Sequence, residues 1–256
     1  MIDGDGIGPR LRQGDHVYGI SVGVPHPALI QMCGHAGYDF VVIDNEHGPA
    51  SIETTGEAIR AARGVGVVPI VRTFESEIPR LLDAGAGGIQ VPLVETPEQA
   101  ERIVRACRYP PVGARSVAFS TPAASYGFAD KRAHIESSNR AIAVIIMIET
   151  AAAMERLDEI LAVRGVDAVC VGPTDMSYSL GVPGDGGHPK VVAAVAECVR
   201  ACRRAGIAVG TNAFSDAECR EHAAMGMTYH TMMMTLMLGK TLRDGLAAMR
   251  AGARGL

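Results

Sequence analysis

Tryptophan is absent from the 256 residues, lysine occurs three times, and aromatic residues make up only 4% of the chain. No apolar run comes near the roughly 20 residues a membrane helix needs; the longest, at 141–148 and 231–238, are core-sized. Charge of one sign is missing too. With 24 basic and 28 acidic residues the net charge is −4, which provides no field to hold a polyanion, so nucleic acid is excluded as a partner. The N-terminal stretch MIDGDGIGPRLRQGD has acids where a secretory leader needs a basic flank and an apolar run, so the expectation is a cytoplasmic protein with no membrane association. The six cysteines form no C-x-x-C pair and are too sparse for a disulfide framework; they are expected to be reduced core residues, with Cys198 and Cys202 on one helix face.

What the chain does have is hydrophobicity, at 48%, and a regular beat. Short β-branched runs are expected as strands at 17–22, 39–44, 67–72, 88–92, 143–149, 168–171, 207–210 and 227–232. Their cores, such as FVVID and AVIIMI, are almost continuously apolar, as in parallel strands covered on both faces. Helical patterns are expected at 27–36, 52–63, 75–84, 97–107, 151–163, 189–205, 216–225 and 236–249. Thr96 before Pro97 and Ser215 before Glu218 read as N-caps. Glycines 37, 64, 85, 165, 206 and 226 read as helix stops. Eight strand-and-helix pairs in 256 residues fit a single (β/α)8 barrel spanning 1–256 better than an open doubly wound sheet. An enlarged loop at 108–140, with a short helix at 130–138, is the main irregularity.

Reacting groups in such barrels gather where strands end. That places Asp44, Asn45, Glu46 and His47 after the second expected strand, Arg72 after the third, Gln90 to Pro92 after the fourth, Glu149 after the fifth, and Gly172, Pro173, Thr174 and Asp175 after the sixth. Glu149 and Asp175 each follow an apolar strand, where an unpaired charge is costly, so each calls for a metal ion, an arginine or a helix cap. If a metal, oxygen ligands with open positions suit Mg2+, Mn2+ or Co2+. His47, three residues after Asp44, could be a general base oriented by that aspartate. Arg72 could hold a carboxylate or a developing enolate oxygen, or pair with Glu46 or Glu75. The amides of residues 172, 174 and 175 could face an anion. The methionines at 225, 227, 232–234 and 237 are read as core or subunit interface. None of the three lysines falls at a strand end, which argues against a Schiff base, and no organic cofactor is called for.

The segments FVVIDNEHGP (40–49), PIVR (69–72), RLLDAGAGGIQVP (80–92), PPVGAR (110–115), IET (148–150) and VGPTDMS (171–177) together resemble the HpcH/HpaI family of class II pyruvate aldolases, in the same order and spacing from about residue 11 to about residue 250. The resemblance implies a (β/α)8 fold, a homo-oligomer (a hexamer, as a trimer of dimers) exchanging its last helix between neighbours, and reversible cleavage of 4-hydroxy-2-oxo acids to pyruvate and an aldehyde. It puts metal ligands on Glu149 and Asp175, a histidine and aspartate dyad on His47 and Asp44, pyruvate binding on Arg72, and the substrate carboxylate on the backbone of Gly172, Pro173 and Thr174. One position departs from the family pattern: Met147 stands where members often carry glutamine. Two other readings remain. The same enolate site could decarboxylate oxaloacetate or hydrolyse a phosphonopyruvate-like acid, or the barrel could bind a small acid or act as a scaffold without catalysis.

Overall fold

In the computed structural model, which describes residues 6–253, eight parallel strands close into a barrel in the order β1 to β8, β8 pairing with β1. They are β1 (Val17–Val22), β2 (Phe40–Asp44), β3 (Val68–Arg72), β4 (Gly88–Val91), β5 (Ala143–Ile148), β6 (Ala168–Val171), β7 (Ala208–Asn212) and β8 (Tyr229–Met233). The helices are α1 (Ile7–Gln13), α2 (Pro27–His35), α3 (Ile52–Gly64), α4 (Ile78–Asp83), α5 (Pro97–Cys107), α6 (Lys131–Ala141), α7 (Ala151–Glu155), α8 (Leu157–Leu161), α9 (Pro173–Ser179), α10 (Pro189–Ala205), α11 (Asp216–Met225) and α12 (Met234–Ala253). The closed-barrel expectation therefore holds, and the open sheet is excluded. The first five residues of the N-terminal stretch read for a leader lie outside the described residues.

Two cores result from the alternation of side chains along each strand. One face packs outward under the helices, and the other fills the barrel with Val17, Phe40, Val42, Ile70, Ala143, Ile145, Met147, Ala168, Cys170 and Tyr229, where the rings of Phe40 and Tyr229 stack at 4.8 Å. Ile7 and Leu11 of α1 belong to the interior cluster and plug the N-terminal end. This helix went unforeseen because Gly8 and Pro9 dilute its pattern and Gly6 supplies no side-chain cap. Thr96 forms a full capping box with Gln99, whereas Glu218 bonds the Phe214 amide and leaves Ser215 as a simple cap. The expected stop at Gly64 is displaced: Gly64 stays helical and Gly66, at φ 76°, makes the left-handed turn. The expected helix at 151–163 breaks into α7 and α8 at Arg156, and the 75–84 helix begins as a 3-10 turn. Five cysteines are buried and all six are free thiols.

Beneath the barrel, Asp167 is buried and accepts from Arg12, from Arg108 Nη2 at 3.2 Å and from the Val144 amide at 2.8 Å. Both oxygens are thus committed, and Arg108, itself only 4% exposed, has this carboxylate as its counter-charge. Substituting Asp167→Asn leaves a buried guanidinium without that charge, and urea denaturation is expected to show a loss of about 3 kcal/mol. A loss below about 0.5 kcal/mol would show that solvent already neutralises Arg108.

Candidate active site

The parity that fills the barrel also aims its rim. Phe40 and Val42 of β2, Val68 and Ile70 of β3, Ala143, Ile145 and Met147 of β5, and Ala168 and Cys170 of β6 face the interior cluster. Two residues further on along the same columns come Asp44, Arg72, Glu149 and Gly172. Register aligns them laterally as well, since Asp44 pairs with Arg72 across β2 and β3, and Arg72 with Gln90 across β3 and β4. The sequence therefore converts an apolar barrel lining into a polar mouth at one level.

Arg72 is the organising cation. Its Nε donates to Asp44 Oδ1 at 2.9 Å and its Nη2 to Asp44 Oδ2 at 2.6 Å, a two-pronged pair, while Nη1 lies 3.3 Å from Glu46 Oε2. Burial pushes the Asp44 carboxyl up, and Arg72 together with the His47 and Glu46 amides more than reverses this, leaving it below its ordinary range. Burial likewise works against the Arg72 charge, and Asp44 with Glu46 overcomes it. Of five guanidinium N–H groups, two are hydrogen-bonded to Asp44, and the others have no hydrogen-bond partner among the described residues. Glu75, the other partner weighed for Arg72, pairs instead with Arg102.

Glu149, directly after β5, is 2% exposed. Its Oε1 accepts the Leu93 amide at 2.7 Å, a bond made possible by the left-handed turn of Leu93 (φ 55°), strained for a leucine. Burial raises the Glu149 carboxyl to about 7; the Leu93 amide opposes this, and the charges of Asp175 and Glu46 add to it. Gly172 is required beside it, because a Cβ there would stand 2.4 Å from Glu149 Oε2. Gly48 makes the neighbouring turn possible in the same way, since its Cβ would fall 2.0 Å from the Asp44 carbonyl oxygen.

Three expectations need correction. The His47 imidazole does not bond Asp44: only its backbone amide does, at 3.3 Å, because Arg72 already holds both aspartate oxygens. The imidazole is 66% exposed, with Nε2 at 3.7 Å from Glu46 Oε1. The Gly172 amide is not turned toward an anion, since it continues the sheet by donating to the Ile148 carbonyl at 3.2 Å. Pro173 opens α9, so Thr174 and Asp175 present first-turn amides outside the helical ladder. Asp175 is exposed in that first turn rather than buried at a strand end. Glu46, one of the two acids weighed as a partner of Arg72, does lie against it, with Oε2 3.3 Å from Nη1.

Below the mouth, Gln90 Oε1 accepts from the Tyr229 hydroxyl at 2.9 Å and its Nε2 lies 3.3 Å from Met147 Sδ. An amide is thus present near the level of Met147, supplied by the adjacent strand. Cys170 is buried beneath Arg72 and Glu149, and desolvation raises its thiol to about 12, so it is inert. Arg115 is buried against Asp83 and over the Tyr109 ring, so it shapes the enlarged loop from within instead of lining a pocket. Lys131, Lys190 and Lys240 sit on α6, α10 and α12, none of them in the barrel. A surface hollow between α8 and α10, lined by Leu161, Arg164, Ala201 and Ile207 among others, lies on the helical flank, away from the strand ends. Among the described residues, no set of three or more His, Cys, Asp or Glu side chains converges to hold a metal.

A closed parallel barrel whose strand ends set Asp44 and Glu46 against one arginine and bury Glu149 at the same rim is the architecture of an enzyme acting on a small polar substrate. The chain belongs to the HpcH/HpaI aldolase/citrate lyase family, whose model matches residues 18–238, and it is a carbon–carbon lyase of that family. It is 36% identical over 244 residues to the hydroxypyruvate/pyruvate aldolase of Roseovarius nubinhibens, covering 94% of this chain and 95% of the relative. It is 33% identical over 243 residues to the 2-keto-3-deoxy-L-rhamnonate aldolase of Salmonella gallinarum, covering 93% and 90%. The crystal structure of an HpcH/HpaI aldolase/citrate lyase family protein from Burkholderia cenocepacia superposes with a TM-score of 0.89 at 33% identity, covering 95% of this chain and 98% of the other. No helix among the described residues is long and apolar enough to cross a membrane.

A buried carboxyl raised to about 7 is charged above that value at the expense of the fold. Its unfavourable contribution is absent below its ordinary value of 4.5 and develops as pH rises through 7. Glu149→Gln is therefore expected to stabilise the metal-free protein by about 1–3 kcal/mol at pH 8 and to leave it unchanged at pH 4.5. Thermal melting at the two pH values checks this, and a variant less stable at pH 8 would contradict it.

Proposed function

We propose that the chain is a divalent-metal-dependent aldolase that cleaves 4-hydroxy-2-oxo acids to pyruvate and an aldehyde, and in reverse adds pyruvate or hydroxypyruvate to aldehydes. The observation that carries this reading is Glu149: a carboxylate 2% exposed, with one amide donor, whose nearest neighbouring charges include the further acids Asp175 and Glu46. Such a site favours a cation, and two carboxylate donors with other positions left to water and substrate fit Mg2+, Mn2+ or Co2+. Glu149 and Asp175 would hold it. When bound, the ion supplies Lewis-acid stabilisation of the oxygen on which negative charge develops.

The chain's own groups account for the remaining steps. The Arg72 N–H groups not bonded to Asp44 take the 2-oxo oxygen, and the first-turn amides of Thr174 and Asp175, with Gly172 and Pro173 shaping the turn, take the substrate carboxylate. His47, exposed at the mouth, accepts the proton of the 4-hydroxyl. The C3–C4 bond then breaks, the aldehyde leaves, and its bonding pair is delocalised into a pyruvate enolate beside Arg72 that is protonated at C3. Asp44 keeps Arg72 in place throughout. For the assembly we propose a hexamer in which α12 is exchanged between neighbours. In support, α12 has only Met234 buried and leaves Leu236, Leu242, Leu246 and Met249 exposed.

The test is hydrogen–deuterium exchange at pyruvate C3 followed by NMR, with cleavage assayed in parallel. Exchange is expected to stop in EDTA and return with Mn2+, Co2+ or Mg2+, and 4-hydroxy-2-oxo acids are expected to yield pyruvate and aldehyde. Full exchange in the chelated protein would contradict the metal requirement. Turnover of oxaloacetate alone, with no aldehyde released from any hydroxy acid, would replace the aldolase with a decarboxylase. Arg72→Lys, which keeps the charge but loses the fork, is expected to raise the KM for pyruvate at least tenfold.

A further inference from the structure

We propose that Asn212, held by Thr231 where β7 and β8 end, selects aldehydes that carry a hydroxyl group beside the carbonyl. The inference rests on the aldolase reading above and names the aldehyde half of its substrate. The mouth has two unlike arcs. Between β2 and β6 it carries the ionisable groups Asp44, Glu46, Arg72 and Glu149, and Asp175 in the first turn of α9. Across β7, β8 and β1 the inward columns end in the uncharged Asn212, Met233 and Ser21. Strand β3, which carries Arg72, stands four strands from β7 in either direction around the closed barrel. With the acid end of the substrate taken by Arg72 and the start of α9, the neutral arc is left for the atoms beyond C4.

Parity puts these side chains on the face that lines the barrel. Val17, Ala208 and Tyr229 belong to the interior cluster, and Ser21, Asn212 and Thr231 lie further along the same three columns. Register sets Asn212 directly beside Thr231, and Met233 beside Ser21. The buried Thr231 hydroxyl donates to Asn212 Oδ1 at 2.7 Å. This bond occupies the amide oxygen and settles which end of the amide is offered to a ligand: Nδ2, a donor with two hydrogens. Neither Nδ2 nor the Ser21 hydroxyl has a hydrogen-bond partner among the described residues, and both side chains are half-buried. Beneath them the stacked rings of Phe40 and Tyr229 close the barrel, so the donor stands above an apolar floor.

A donor fixed in this way discriminates through what it leaves unpaired. An aldehyde with a hydroxyl next to its carbonyl gives Nδ2 an acceptor, and Ser21 can donate to or accept from the same group. An aldehyde with a methyl in that place strips water from the amide and returns no bond, a loss that polar sites convert into strong selectivity. A second carboxylate at the far end of the substrate meets no cation on this arc, because Arg72 is engaged by Asp44 and Glu46 across the barrel. The side chains thus favour short hydroxyaldehydes over both alkyl aldehydes and aldehydes bearing an acid. Asn212 touches the substrate away from the bond that breaks, and Thr231 is the positioning residue that orients it.

The test measures kcat/KM for condensation of pyruvate with glycolaldehyde and with propionaldehyde, which place a hydroxyl or a methyl at the same position, in the metal-loaded protein. The readout is the ratio of the two values within one preparation, which a partial loss of folded protein does not move. Asn212→Leu is expected to lower the glycolaldehyde-to-propionaldehyde ratio at least about tenfold, and Asn212→Ala to move it the same way. Thr231→Val, which removes the anchor and leaves the amide, should lower it about three- to tenfold, and Thr231→Ser should keep it. Succinic semialdehyde should be a poorer acceptor than glycolaldehyde for the wild type. A ratio unchanged in Asn212→Leu and Asn212→Ala would overturn the proposal, and so would a wild-type preference for succinic semialdehyde. A wild type that condenses pyruvate with no aldehyde at all would overturn the aldolase reading, and this proposal with it.

Discussion

The two-pronged pair between Arg72 and Asp44 is the constraint on which the rim depends. It joins the ends of β2 and β3 at one register level, keeps a guanidinium charged while largely buried, and fixes the direction of its remaining N–H groups. Because Asp44 and Glu46 share this arginine, the buried Glu149 is left with one amide donor and no cation in contact with it. A substrate with an anionic carboxylate would be repelled by such a set unless a cation joined it. The arginine pair and the uncompensated Glu149 are thus two halves of one electrostatic arrangement, in which burial of Glu149 is unfavourable to the fold when it is charged.

Close packing makes the arrangement specific. Gly172 allows the Glu149 carboxylate to lie against the backbone of the next strand end, and the strained Leu93 turn delivers the amide that orients its other oxygen. Inert groups form the floor: the buried Cys170 thiol, Met147 Sδ and the Gln90 amide tied to Tyr229.

Much of this was legible before any coordinates. Glycine and cap punctuation mark the βα units, and the near-continuous apolar strands imply a parallel sheet covered on both sides. Side-chain parity explains why Asp44, Arg72 and Glu149 end inward-facing columns. Other features depend on tertiary placement that one sequence does not carry. Strand β8 begins at Tyr229 and not at 227, because Met227 is buried in the turn before it. The Gly172 amide looks free until β5 is set beside β6, and Asp44 looks free for His47 until its register with Arg72 is known. Glu46 and Glu75 stood as equal partners for Arg72, because sequence spacing cannot distinguish an exposed loop acid from one folded back over an arginine.

The account's central claim is that Glu149 and Asp175 share one divalent ion with a bound 2-oxo acid. Crystals grown with Mn2+ and pyruvate, with diffraction data collected at the manganese absorption edge, test it most directly. The account predicts one strong anomalous peak about 2.1 Å from an oxygen of each carboxylate, with pyruvate reaching the same ion and Arg72. A peak bonded elsewhere, or none at saturating Mn2+, would contradict it.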